Sequence, residues 1–291
     1  MNRKLIFTDL DGTLLDSDKK ISNETEKIIK ALVSQGHYFC FVTGRSMHDA
    51  LPFYKQLGLD TICICNNGAA IHNPADEHFS DIFFPINKDV FFKLYQCNDL
   101  LDQLEYFIIK TRHHTFTNKI PTERKLIENF KIWFHLDFAD LKKAKKESLI
   151  IADKSRKSDI LSIIIVLKPN ADVEHVYYLI KSLTNNLLIS RWSIDNRGHR
   201  NDGQLILELN HNFANKYNSL RFAQSYYDVL NADCYVFGDG TNDMQMLHKV
   251  ENSYVMKNAS SDAYTMGHNI TKYDNNHDGV AKTLQELFMP K

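Results

Sequence analysis

With 291 residues, 43% of them hydrophobic and 24% charged, the chain has the make-up of a globular protein of one large or two modest domains. A formal net charge of −1 excludes a global electrostatic footprint for nucleic acid, so an anionic substrate must be met by a local site. Five cysteines without regular spacing exclude a disulfide framework, and no apolar stretch approaches the roughly 20 residues of a membrane span. The N-terminus lacks the apolar core of a signal peptide, so the expected compartment is the cytoplasm.

Leu5-Ile6-Phe7 is a short apolar run ending at Thr8-Asp9, the pattern of a buried strand in a parallel sheet. Ser22 opens a helix with apolar Ile28, Ile29, Leu32 and Val33, closed by Gly36. Tyr38 to Val42 reads as a second strand ending at Thr43-Gly44-Arg45, Met47 to Leu57 as a helix, and Thr61 to Cys65 as a third strand followed by Asn66-Asn67-Gly68. Strands alternating with helices predict a doubly wound parallel sheet.

Past about residue 85 the pattern changes. Val90 to Leu101, Thr122 to Phe134 and Asp172 to Leu183 read as helices, and Glu105 to Lys110, Thr115 to Asn118, Leu161 to Leu167, Leu187 to Ile194 and Leu205 to Leu209 as strands. This predicts an inserted α+β domain with an antiparallel sheet over residues 85–209, within a core of residues 1–84 and 210–291. The alternating pattern then resumes with a helix from Lys216 to Leu230, a strand from Cys234 to Phe237, a helix from Asn242 to Val250, a strand from Tyr254 to Met256 and a helix from Gly279 to Phe288.

Four polar clusters fall at strand ends or helix starts of the core. In Asp9-Leu10-Asp11-Gly12-Thr13 the two carboxylates lie two apart after a strand, at the end where open α/β sheets bind ligands. Such a pair is tolerated when a cation lies between the groups or one is protonated, although the same string also occurs as a plain surface turn. Thr43-Gly44-Arg45 offers a hydroxyl and backbone N–H groups for an anion, and by itself is equally a helix cap. Lys216 opens a helix, where an isolated Lys is ordinarily solvated. Gly238-Asp239-Gly240-Thr241-Asn242-Asp243 ends a strand with oxygen donors suited to a hard cation. Taken together the clusters are complementary, with acids for a cation and a hydroxyl and a Lys for a phosphate.

This set, in this order, resembles the haloacid dehalogenase superfamily, and the position of the insert and the Asn67-Gly68-Ala69 segment resemble its Cof-type branch with a C2B-type cap. The resemblance implies a Rossmann-like core, Mg²⁺ as cofactor, and a phosphatase acting on small phosphorylated metabolites such as sugar phosphates, flavin mononucleotide or pyridoxal phosphate. It implies Asp9 as nucleophile, Asp11 as acid and base on the leaving group and on water, and metal held by Asp9, the Asp11 backbone carbonyl and Asp239. It further implies phosphate or substrate contacts from Thr43, Gly44, Arg45, Asn67, Gly68, Lys216 and Asn242, with Asp243 orienting Lys216 or a metal-bound water. One departure stands out: Met256-Lys257-Asn258-Ala259 carries Lys where the family usually has Gly, which places a charge near the site mouth and bears on substrate class.

Specificity in this branch comes from the insert, which is expected to close over the site; His113, Arg191, Trp192, Arg197 and His199 are its polar or aromatic candidates. Asp274-Asn275-Asn276-His277-Asp278-Gly279 mimics a calcium loop but has Gln285 where a bidentate Glu is required. The basic run Lys142 to Lys146 has no interleaved aromatics and reads as a solvated face. The expected partner is a small phosphorylated metabolite, with neither nucleic acid nor membrane, for a monomer or homodimer. A phosphomutase sharing the paired aspartates is the competing reading, and a metabolite sensor that keeps the fold without catalysis is a third.

Overall fold

The computed structural model describes residues 3–112, 114–119, 141–143, 159–194 and 204–289. It divides into two compact units, Met1–Ile82 with Ala214–Lys291, and Phe83–Phe213.

The first unit is built on a five-stranded parallel sheet. β1 (Leu5–Thr8) lies between β2 (Tyr38–Phe41), the edge strand, and β12 (Cys234–Gly238), with Leu5 opposite both Tyr38 and Cys234. β13 (Asn252–Val255) and β14 (Asn269–Ile270) complete it beyond β12. Beyond β2 the chain continues to β3 (Cys63–Cys65) through a single parallel bridge between Val42 and Ile64, and β4 (Ala70–His72) turns back antiparallel on β3. All four residues of β1 are buried, as a strand covered on both faces requires. The mixed α/β order and parallel sheet are those of a Rossmann-like core.

Helix α1 (Asn23–Ser34) starts at Ser22, whose side chain accepts from the Thr25 N–H, and buries Ile28, Ile29 and Leu32. α2 (Met47–Leu57) is capped in the same way by Ser46 and stops at Gly58, which takes the left-handed conformation at φ 62°. The remaining helices of this unit are α6 (Lys216–Tyr227), α7 (Met244–Lys249), α8 (Ser261–Tyr264) and α9 (Gly279–Phe288), the last of which packs against α1. The helix expected to reach Leu230 stops at Tyr227 because Asp228 adopts φ 53°, a break supplied by Asp in place of Gly. The helix expected from Asn242 begins only at Met244.

The chain leaves the first unit through β5 (Ile82–Phe83). In the second unit a six-stranded sheet runs in the order β10 (Leu187–Ile194), β11 (Gln204–His211), β9 (Ile160–Leu167), β6 (Leu104–Thr111), β7 (Thr115–Thr117), β8 (Leu141–Lys143). Its pairs are antiparallel except β7–β8, which is parallel, so the expectation of an antiparallel sheet holds for all but its edge. On one face Phe107, Ile109, Ile163, Ile165, Leu207 and Leu209 pack in one core with Phe91, Leu94, Leu100, Val176 and Ile180 from three helices. These are α3 (Lys88–Gln96), α4 (Asn98–Gln103) and α5 (Val173–Leu183). The single helix expected over Val90 to Leu101 is two helices, because Cys97 is extended at ψ 99° and ends one helix as it caps the next. The helix expected over residues 122–134 lies outside the described residues, as do His113, Arg197, His199 and the Trp192 side chain. Arg191 is exposed, 3.9 Å from Glu174. Among the described residues, no helix is long and apolar enough to cross a membrane.

Candidate active site

The site forms where β1, β2 and β12 end. Asp9 follows β1 directly and is buried; its N–H donates to the Phe237 carbonyl of β12 and its Oδ1 accepts from the Leu10 N–H at 2.7 Å. Gly12 then turns the chain at φ 80°, and a Cβ at that position would lie 2.4 Å from Asp239 Oδ2. Only glycine lets the first acidic loop approach the second this closely. Thr13, buried, donates its hydroxyl to Asp239 Oδ1 at 2.9 Å.

Lys216 is the first residue of α6, whose cap Asn215 accepts from the Asn218 N–H. Its side chain is fully buried, with the ammonium 3.0 Å from Asp9 Oδ2 and 2.7 Å from Asp243 Oδ1. The other Asp243 oxygen accepts from the Asp239 and Gly240 N–H groups at 3.1 and 2.9 Å. Asp243 is therefore committed on both oxygens, one to the ammonium and one to the loop that carries Asp239.

Burial, followed by the neighbouring carboxylates Asp243, Asp239 and Asp11, pushes the Asp9 carboxyl up to about 8, against the pull of Lys216. Burial acts on Lys216 in the opposite sense, but Asp243 and Asp9 outweigh it and raise its pKa. Asp9, Asp239 and Asp243 offer carboxylate atoms all within 4.8 Å of one another. Three acids thus share one buried ammonium, and the excess negative charge in an oxygen-donor cluster fits a hard divalent cation. Because Asp243 is already committed, Asp9 and Asp239 are the carboxylates placed to bind it.

Asp11 is turned elsewhere. Arg45 holds it in a fork, Nε to Oδ2 and Nη2 to Oδ1, each at 2.7 Å, and the Lys19 ammonium lies 2.9 Å from Oδ1. Arg45, nominated from sequence for a phosphate, is here the partner of an aspartate and lies 5.2 Å over the Phe53 ring. Lys19 was not singled out from the sequence, and nothing in its spacing marks it.

Thr43 is buried in the loop between β2 and α2, its hydroxyl accepting from the Arg45 N–H at 3.1 Å. Asn66, Asn67 and Gly68 follow β3 with φ of 50°, 55° and 101°, a run of left-handed backbone that returns the chain to Thr43, where the Asn67 N–H donates to the Thr43 carbonyl. Asn67 Oδ1 accepts from Asn242 Nδ2 at 3.0 Å, joining the β3 loop to the β12 loop. A Cβ on Gly44 would sit 3.3 Å from that same Asn67 oxygen. Gly68 serves packing, since a Cβ there would lie 2.8 Å from the Asn215 carbonyl, so its absence lets the start of α6 come close. Two further residues support the first loop: Asn258 donates to the Gly12 carbonyl at 2.8 Å, and Asn275 donates to the Leu15 carbonyl at 2.8 Å. The Lys257 side chain is exposed, and its N–H donates to Thr271. The segment that mimics a calcium loop is a short turn ahead of α9, with His277 2.6 Å from Asp274.

A core with acidic loops after β1 and β12, a hydroxyl after β2 and a buried Lys opening α6 defines a hydrolase of the haloacid dehalogenase type, and the chain matches that family, the haloacid dehalogenase-like hydrolases, over residues 6–284. It belongs to that family. It is 28% identical to the 5-amino-6-(5-phospho-D-ribitylamino)uracil phosphatase YitU of Bacillus subtilis (strain 168), over 98% of this chain and 97% of that protein. It is 26% identical to a putative phosphatase of Haemophilus influenzae, over 99% of each. Among solved structures it is similar to a haloacid dehalogenase-like hydrolase from B. subtilis, with a TM-score of 0.76 at 22% identity, covering 98% of this chain and all of that one. Family and relatives together make the chain a phosphatase of this superfamily, of the Cof type.

Proposed function

We propose that the protein is a Mg²⁺-dependent phosphatase of small phosphorylated metabolites, working through an aspartyl-phosphate on Asp9. The observation that carries this reading is the placement of Asp9: a buried carboxylate at a strand end, 3.0 Å from a buried ammonium and clustered with Asp239. Mg²⁺ would be held by the Asp9 and Asp239 carboxylates and the Asp11 backbone carbonyl, and would supply charge neutralisation between a carboxylate nucleophile and a phosphate dianion.

The chain's own groups perform the rest. An Asp9 oxygen attacks phosphorus as the bond from phosphorus to the ester oxygen breaks. Asp11, once it has left the Arg45 fork and taken up a proton, would give that proton to the departing oxygen and then take one from the water that attacks the acyl phosphate, releasing inorganic phosphate and restoring Asp9. Lys216 sets a positive charge beside the attacked group, and Thr43, the Gly44 N–H and Asn242 orient the phosphoryl oxygens, since positioning and charge stabilisation are the main devices of phosphoryl transfer. Asp243 fixes Lys216.

The test is phosphate release from sugar phosphates, flavin mononucleotide, pyridoxal phosphate, a phosphorylated ribitylaminopyrimidine and an aryl phosphate, with Mg²⁺ and with EDTA, and again for Asp9→Asn. Turnover that needs Mg²⁺ and disappears in the variant is expected. Turnover that survives EDTA refutes the metal dependence, and isomer formation without phosphate release favours a mutase.

A further inference from the structure

We infer that Asn258 is a positioning residue for the proposed Mg²⁺ site, bracing the loop of Asp11 and Gly12 against the loop of Asp239. The role rests on the metal reading above, in which the Asp11 carbonyl and the Asp239 carboxylate help to hold the ion.

The turn from Met256 to Ser260 leaves β13 and passes beside the end of β12. The Met256 N–H donates to the Gly238 carbonyl at 3.0 Å and the Ser260 N–H to the Asp239 carbonyl at 2.9 Å, so both ends of the turn are bonded to the second acidic loop. Between them the Ala259 N–H donates to the Met256 carbonyl at 2.9 Å, and the Lys257 N–H to the Thr271 hydroxyl at 3.0 Å. The Ser260 hydroxyl accepts from the Ala263 N–H and caps α8. A turn tied at each of these points is a fixed platform beside Asp239.

From this platform Asn258 reaches the first acidic loop. Its Nδ2 donates to the Gly12 carbonyl at 2.8 Å, and its Oδ1 accepts from the Asn275 N–H at 3.0 Å. One partner is a carbonyl, which can only accept, and the other an N–H, which can only donate, so the amide has a single orientation. Asn275 extends the hold, since its own side chain donates to the Leu15 carbonyl at 2.8 Å.

Gly12 is the residue of that loop at which a hold matters most. Lacking a Cβ, it has the freest backbone there, and its N–H shares one planar peptide with the Asp11 carbonyl. Anchoring the Gly12 carbonyl therefore limits the tilt of the peptide that carries a proposed ligand. Thr13 also joins the two loops, but through Asp239 Oδ1, an oxygen of the carboxylate proposed to bind the ion. Asn258 joins them through main-chain atoms, leaving the Asp239 carboxylate and the Asp11 carbonyl to the metal. Groups that orient a metal ligand from outside typically cost about 10- to 100-fold in metal affinity when they are removed.

The experiment titrates Mg²⁺ into the folded, metal-free protein by calorimetry, for wild type, Asn258→Ala, Asn258→Leu and Asn276→Ala. Asn276 is the control for general loosening: it lies in the same C-terminal segment, but its Oδ1 accepts from the Ser17 N–H, at 2.8 Å, and touches neither acidic loop. Both Asn258 variants should bind Mg²⁺ about ten-fold more weakly, and the Mg²⁺ concentration for half-maximal phosphate release should rise to match, with kcat at saturating Mg²⁺ kept to within about two-fold. Asn276→Ala should bind Mg²⁺ as wild type does, to within about two-fold. Unchanged affinity in the Asn258 variants, an equal weakening in Asn276→Ala, or a fall in kcat with affinity intact overturns the role of Asn258 and leaves the metal reading standing. Failure of both Asn258 variants to fold overturns it as well, because the turn then carries the fold rather than the site. A wild type that binds no Mg²⁺ refutes the metal reading and this role with it.

Discussion

The Lys216 ammonium lies 2.7 Å from Asp243, closer than the 3.0 Å that separates it from Asp9. The stronger tie is thus to the residue whose other oxygen is bonded to the loop carrying Asp239, and Asp9 meets a cation that is already fixed. Removing either end of a fully buried pair leaves an uncompensated charge, which costs about 3–5 kcal/mol. Lys216→Met should therefore lower the melting temperature clearly in calorimetry and abolish phosphate release. A variant that melts with wild type would show that the pair does not hold the site together.

The pH dependence of the metal-free protein follows from Asp9. Its carboxyl is raised from 3.8 to about 8 in the folded state, so the folded protein keeps a proton that the unfolded chain releases over roughly pH 4 to 8. The stability contributed by that proton is complete below the lower value and is lost as pH rises through the window. Unfolding in EDTA should show stability falling between those limits, and Asp9→Asn should flatten the slope. Mg²⁺ held by Asp9, as proposed, would displace the same proton, so it should raise the melting temperature more at pH 8 than at pH 5. Equal stabilisation at both values would exclude Asp9 from the metal site.

Gly12 is limited both by its backbone and by the space around it. Its φ of 80° and the 2.4 Å approach of Asp239 to any added Cβ mean that Gly12→Ala must move one acidic loop away from the other. Activity should fall by about 100-fold, the usual cost of displacing reacting groups by about an ångström, with a loss of about 1–3 kcal/mol in stability. Steady-state kinetics and chemical denaturation on one preparation check both parts.

Gly279 gives a prediction on stability and, more weakly, on rate. A Cβ there would lie 2.2 Å from the Tyr273 carbonyl, which is backbone and cannot swing aside. Gly279→Ala should destabilise by about 1–3 kcal/mol. Its turn also supplies Asn275 to the Leu15 carbonyl, so kcat should fall modestly while KM holds.

The parallel core was readable because its strands are short, wholly apolar and end in polar clusters, as in Leu5–Thr8 before Asp9 and Cys234–Gly238 before Asp239. β14 escaped notice: it has two residues, both exposed, and pairs only through Tyr254 and Val255. The break at Cys97 carries no Gly or Pro, so the apolar period runs across it unmarked. In the site, alternation along a strand suggests that Asp9 and Asp11 share a face, but the turn at Gly12 and the pull of Arg45 take Asp11 to a partner 34 residues away. Partners at such separations are a property of the folded chain. The same holds for Asn258 on Gly12 and Lys19 on Asp11, where an ordinary polar residue gains its importance from what the fold places beside it.

The most direct test of the central claim is to trap the intermediate. Enzyme turning over its best substrate with Mg²⁺ is quenched in acid, digested and sequenced by mass spectrometry. One phosphoryl group on the peptide containing Asp9, absent from the Asp9→Asn variant, is the predicted result. Phosphate on another residue, or labelling that persists in the variant, would contradict the assignment of Asp9 as nucleophile.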